Sequence, residues 1–361
     1  MAALSGFGLL EAERRAVIRR HWRLLQMRQE TLLRHVHENA RVLGIAPEKF
    51  ARLGVRFPSL FYQDGDRLKR RATAIASLLR MPLALYLARA INTPGILLLN
   101  PARARANMAA LAGALAVPRS VVVKAVVKQL SLLGLRPEGI LEKVRAAQDA
   151  LGVERAVAVR LLLRAPRLLA AAAGTFEEFR SGFAAATGFG EETIRDIVLR
   201  CPSLLSQRVA TLMGNVEKIA ALLGSDRGEV LAMAQRFPQL LYARPSSIAK
   251  RVELAQEALG IGRNAYVGAV RRTTTLIARD VAGLRLRCRL IRRLAAVAGE
   301  RITNERIFAQ FPAALTYSRE RIVRRYILVR RGLSGWSWAS LLSMREAKAA
   351  ALLAELGRRQ A

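Results

Sequence analysis

The stretch PSLLSQRVATLMGNVEKIAALLGSDRGEVLAMAQR, residues 202–236, is followed after Phe237 by a second phrase of the same kind, PQLL at 238–241. Inside it Leu212, Val216, Ile219 and Leu223 recur at helical spacing, which puts one apolar face on a helix of about four turns. Gly224 stands where a left-handed residue closes such a helix. A second helix of roughly ten residues then runs to the proline stop at Pro238, because proline is excluded from a helix interior. The stretch therefore reads as Leu-rich turn, helix, glycine turn, second helix, proline.

The same phrase returns along the chain. Prolines at Pro58, Pro94, Pro166, Pro202, Pro238 and Pro312, with Trp22, Leu130 and Thr274 as substituted members, are spaced by 36 residues until one final step of 38. Each anchor opens a similar run, from Trp22-Arg-Leu-Leu through Pro166-Arg-Leu-Leu to Pro312-Ala-Ala-Leu. The remaining prolines keep the same clock. Pro101, Pro137 and Pro245 lie seven past their anchors, and Pro47, Pro82 and Pro118 lie 24 or 25 past theirs, which marks two helix starts per unit. Gly44, Gly152, Gly188, Gly224 and Gly260 fall 22 past an anchor, and Asp64, Asn100, Asp280 and Ser318 supply N-cap side chains six past one. Two amphipathic helices cannot bury their apolar faces alone, so successive units must stack. The expected fold is an all-α superhelical solenoid of about nine 36-residue repeats over residues 20–333, with a helical cap at 1–19 and a helical cap or tail at 334–361.

Composition narrows the partner. The 361 residues carry 60 Lys and Arg against 27 Asp and Glu, a net charge of +33, and only eight of the cations are Lys. Such self-repulsion penalises a compact state unless a polyanion neutralises it, and arginine's planar fork matches phosphate and guanine edges. A GC-rich genome also favours Arg and Ala, which accounts for the Arg-to-Lys ratio but not for the shortage of acids. Cys201 and Cys288 have no partner spacing, so neither a disulfide nor a zinc site is indicated and a reducing intracellular compartment is expected. No run of 18 apolar residues escapes interruption, so no membrane partner is expected.

The phrase Pro-x-Leu-Leu followed by a helix ending in Leu-Gly, as in Pro202-Ser-Leu-Leu with Leu222-Leu-Gly224, resembles the mitochondrial transcription termination factor (mTERF) family over residues 20–345 or so. Tetratricopeptide and pentatricopeptide units keep slightly shorter periods and lack that phrase. The resemblance implies a left-handed superhelix of two α-helices and a short 3-10 turn per unit with a basic concave path. It also implies binding of organellar double-stranded DNA, or of structured RNA, in transcription termination, initiation, ribosome assembly or splicing. A mitochondrial or chloroplast location follows from the family. The bacterial cytoplasm is the alternative, because the first unit begins near residue 20 and leaves no separable presequence.

Two columns of cations emerge when the repeats are aligned. Two residues before the anchors stand Arg20, Arg56, Asn92, Lys128, Arg164, Arg200, Arg236, Arg272 and Gln310. One cation per unit at one phase makes a ladder able to track a phosphate backbone, or it complements the dipole at a helix C-terminus; both readings stand. Thirteen past the anchors stand His35, Arg71, Lys143, Arg251, Arg287 and Arg325, interrupted by Asn107, Phe179 and Asn215 and reinforced by Arg34, Arg70, Lys250 and Arg324. That column either lines the groove or is a solvated face. Tyr62 and Tyr242 are candidates for stacking on bases, or core residues with a wet hydroxyl.

Nothing in the chain points to catalysis. His21, His35 and His37 lack a metal-ligand pattern and read as surface residues, and no phosphate loop, dinucleotide-binding glycine run or nucleophile elbow is present. No cofactor is expected. The expected protein is a monomeric, non-catalytic binder of double-stranded DNA first and structured RNA second. The alternative is a protein-docking scaffold in ribosome assembly or an RNA-modification complex, using Trp336 and Trp338 near the C-terminus.

Overall fold

The computed structural model describes residues 5–330 and 337–358. Every anchor opens a five-residue 3-10 turn, from Trp22–Gln26 and Pro58–Tyr62 to Thr274–Ala278 and Pro312–Thr316, including the three repeats without the anchor proline. Each turn feeds a long helix: Gln29–Leu43, Gly65–Leu78, Pro101–Leu115, Pro137–Leu151, Thr175–Thr187, Val209–Leu223, Pro245–Leu259, Val281–Val297 and Arg319–Arg330. Short helices precede the turns: Glu11–Arg20, Pro47–Arg56, Leu83–Ala90, Arg119–Lys128, Arg155–Arg164, Glu191–Arg200, Arg227–Arg236, Arg263–Arg272 and Asn304–Gln310. The described residues are thus helical repeats of the expected period, and no strand occurs among them.

Local chemistry sets these boundaries. Pro101, Pro137 and Pro245 open long helices, where the missing N–H costs nothing. Asp64, Asn100 and Asp280 accept a hydrogen bond from a backbone N–H two or three residues on, and Arg321 N–H donates to Ser318 Oγ. Long helices end in a left-handed residue at the glycine phase, as at Gly224 with φ of 56°. The 38-residue final step is explained by the long helix Val281–Val297, which runs to 17 residues where its usual counterpart has 15, and whose glycine is displaced to Gly299.

Packing follows the stripe. Leu212, Val216 and Ile219 are fully buried, as are Leu60, Leu168, Leu204 and Leu240 from the Leu-rich turns. The chain gathers into two compact units, Met1–Ser181 and Gly182–Ala361. In the first, long helices Gly65–Leu78, Pro101–Leu115 and Pro137–Leu151 pack in succession, and so do the turns Pro94–Leu98, Leu130–Gly134 and Pro166–Ala170. In the second, the succession Val209–Leu223, Pro245–Leu259, Val281–Val297 and Arg319–Arg330 repeats the arrangement. Helices Trp338–Ser343 and Glu346–Arg358 then close the last long helix.

Candidate nucleic-acid interface

The ladder residues occupy one structural position, the last turn of each short helix. Arg56, Lys128 and Arg164 in the first unit, and Arg200, Arg236 and Arg272 in the second, are all exposed. Arg20 ends its helix, but its side chain lies outside the described residues. Some of these cations also hold the array together. Arg200 donates to the carbonyls of Gln235 and Arg236, and Arg272 donates to the Phe308 carbonyl at 3.1 Å, so each serves the C-terminal end of the next repeat's short helix. The side chains of Arg56, Lys128 and Arg236 make no hydrogen bond or ion pair among the described residues, which leaves their guanidinium and ammonium groups in water.

At several of its positions the second column forms a seam between repeats. The His35 Nδ1–H donates to the Phe61 carbonyl at 2.8 Å, Asn107 to Leu133 at 2.6 Å, Asn215 to Leu241 at 3.2 Å, and Arg251 to Ile277. Every one of these bonds spans 26 residues and ends on the fourth residue of the next 3-10 turn, whose carbonyl has no partner within the turn. Asn107 and Asn215 are therefore not gaps, since a neutral amide performs the same donation as His or Arg. Arg71, Lys143 and Arg287 are half-buried and donate to Gln63 Oε1, to the Gly139 carbonyl and to the Tyr317 carbonyl. Burial, then repulsion from Arg67, lowers the pKa of Arg71. Arg325 is fully buried, donating to the Met344 carbonyl and to Glu346, which removes it from any contact with a polyanion. His35 is likewise buried, because its ring is needed at the seam.

A third set of staples was not anticipated. Arg155, Arg227 and Arg263 each open a short helix and reach back 41 residues to the carbonyls of Ala114, Ala186 and Leu222 in the last turn of the previous repeat's long helix. Asn304 does the same for the Leu259 carbonyl at 2.7 Å. A share of the arginine surplus thus satisfies helix C-terminal carbonyls that otherwise have no partner.

The other unanticipated set bears on ligand binding. Arg28, Arg136, Arg208 and Arg244 stand at the N-cap position of their long helices, six past the anchor, with no side-chain cap bond and with exposed side chains. A cation there opposes the helix dipole, and its column is legible in the sequence, at the same phase as the capping residues Asp64, Asn100, Asp280 and Ser318. Ladder and N-cap cations flank the same 3-10 turn, as Lys128 with Arg136, Arg200 with Arg208, and Arg236 with Arg244.

A family model described as mTERF matches residues 86–348. The chain belongs to the mTERF family. No curated protein matches it closely enough to transfer a role. The mTERF match begins inside the short helix Leu83–Ala90, yet the turns at Trp22–Gln26 and Pro58–Tyr62 open units of the same build. Of the two tryptophans considered for docking in this mTERF chain, Trp338 is buried with its ring 5.2 Å from that of Phe311, and Trp336 lies outside the described residues. Tyr62 is half-buried and Tyr242 is 40% exposed.

Proposed function

We propose that this mTERF-family protein is a non-catalytic nucleic-acid-binding repeat protein. It takes double-stranded DNA first and structured RNA second at the 3-10 turns of its repeats, and serves transcription termination or initiation, or RNA processing. The carrying observation is the set of exposed arginines at the start of four long helices. Each costs about 0.3–1 kcal/mol against the helix dipole when no anion is bound, and each turns favourable once a phosphate sits at that helix start. With the ladder cations Lys128 and Arg236 on the other side of the same turns, Arg136 and Arg244 offer two phosphate contacts at each of the turns Leu130–Gly134 and Pro238–Tyr242. The buried Arg325 and His35 take no part in this interface, and the half-buried Arg71, Lys143, Arg251 and Arg287 are not needed for it.

The test is binding to a defined duplex across a salt series. The logarithm of affinity is expected to fall with the logarithm of salt at a slope of about −0.9 per phosphate neutralised. Replacing Lys128, Arg136, Arg236 and Arg244 together with Ala is expected to shallow that slope by about 3.6. A wild-type affinity that does not respond to salt would sink the proposal, and an unchanged slope in the variant would sink its location.

A further inference from the structure

The opposite edge of the first unit, where long helices end and short helices begin, holds an open cavity of about 670 Å³. Its charged lining is Arg80, Arg105, Arg119 and Lys124, with Ser77 and Ser120 beside them and an apolar wall that includes Ala74 and Val123. No carboxylate lines it among the described residues. The two other cavities described do carry carboxylates, Glu38, Asp64 and Asp66 in one and Glu320 and Glu346 in the other.

Two features set this cavity apart within its own array. Arg119 opens its short helix as Arg155, Arg227 and Arg263 open theirs, and a reach of 41 residues back would end on Leu78, which lines the cavity. Unlike those three, Arg119 makes no such bond among the described residues. Arg80 takes the left-handed position that Gly44, Gly152, Gly188, Gly224 and Gly260 occupy elsewhere, at φ of 54°, a conformation that an L side chain rarely adopts; Ala116 shares it at the same phase of the next repeat, at φ of 51°, but carries no charge. The strain at Arg80, unlike that at Ala116, is spent on a residue that puts a cation at the wall of a cavity.

We propose that this cavity is a binding site for a phosphate chain, of the kind carried by a nucleoside triphosphate or by an inorganic polyphosphate. Four cations without a counter-carboxylate match the charge of a triphosphate. The size falls within the usual range of small-molecule sites, roughly 300–1,000 Å³. The start of the helix Arg119–Lys128 adds free N–H groups and a favourable dipole. The proposed duplex interface meets the helix Arg119–Lys128 at its other end, at Lys128, which does not line the cavity, and the present proposal does not rest on it.

The experiment is calorimetric titration of the full chain with inorganic triphosphate and with adenosine triphosphate at one fixed salt concentration. The variants are Arg80→Gly, Arg105→Ala with Lys124→Ala, and the charge-matched pair Lys128→Ala with Arg236→Ala. Arg80→Gly installs the residue its sister repeats use, so its melting temperature is expected to hold or rise while triphosphate affinity drops about tenfold, the scale of one lost charged hydrogen bond. The Arg105 and Lys124 pair is expected to lose more, and the matched pair to bind triphosphate like wild type. Tighter binding of adenosine triphosphate than of triphosphate assigns the phosphate chain to a nucleotide, and equal binding assigns it to the inorganic chain. Equal losses in the cavity and matched variants mean that net charge alone attracts the anion and overturn the site. So does loss of duplex affinity in the cavity variants with no triphosphate binding by wild type, which gives the cavity to the nucleic-acid backbone.

Discussion

Asn215 offers the sharpest test of the seam. Its amide donates to the Leu241 carbonyl at 3.2 Å, in a half-buried setting where Leu241 itself is fully buried. Asn215→Ala removes the donor and strands the carbonyl away from water, a loss of about 1–3 kcal/mol. For a unit the size of Gly182–Ala361 this corresponds to a fall of roughly 2–4 °C in melting temperature per kcal/mol. Asn215→Asp keeps the shape but offers only acceptors, setting a carboxylate against a carbonyl, and is expected to fall below the alanine variant. Asn215→Arg and Asn215→His restore a donor of the kind that Arg251 and His35 supply at the same phase, and are expected to recover most of the loss. Thermal and urea melts of the five proteins at neutral pH suffice. If the Asp variant melts with the Arg variant, this column is not a donor column, and its 26-residue bonds are incidental to stability.

Three further outcomes are expected. Glu346 receives Arg321, Arg324 and Arg325 at 3.1, 2.8 and 2.9 Å; partial burial raises its pKa, but attraction to Arg325 and the hydrogen bonds outweigh it, so the carboxyl is held below the usual glutamate range. Its stabilising contribution is therefore present above the unfolded-state value of about 4.3 and lost as pH falls through the depressed folded value. Glu346→Gln should loosen the C-terminal helices at neutral pH, read by hydrogen exchange, and abolish that acid dependence. Thr274→Pro should stabilise by about 0.5–1 kcal/mol in a urea melt, because Thr274 buries an unpartnered hydroxyl and Thr273, at φ of −133° and ψ of 77°, is already extended as a residue before proline must be. Gly54→Ala should cost about 1–3 kcal/mol or more in the same assay, since a Cβ there would clash with the buried Phe61 ring.

Much of the fold was legible because its punctuation is covalent. A proline removes an N–H and a glycine permits a positive φ wherever they stand, so Pro101, Gly224 and their counterparts declare helix starts and ends without reference to neighbours. Nine copies in phase then made the array readable even where Trp22, Leu130 and Thr274 broke the pattern.

The roles of the cations were another matter. A column shows that a charge recurs, but not what it meets, and an arginine side chain long enough to touch phosphate is also long enough to reach the next repeat. Stacking decided that Arg251 serves a carbonyl and that Asn215 is its equivalent, while packing of the C-terminal helices withdrew Arg325 from water. It also left Arg136, Arg208 and Arg244 exposed at helix starts, and Arg119 beside a cavity where its sisters cap a helix. The period and helix boundaries are thus written in backbone chemistry local to each residue. The division of arginines between structure and ligand depends on distances between residues 26, 36 and 41 apart, which only the packed repeats define.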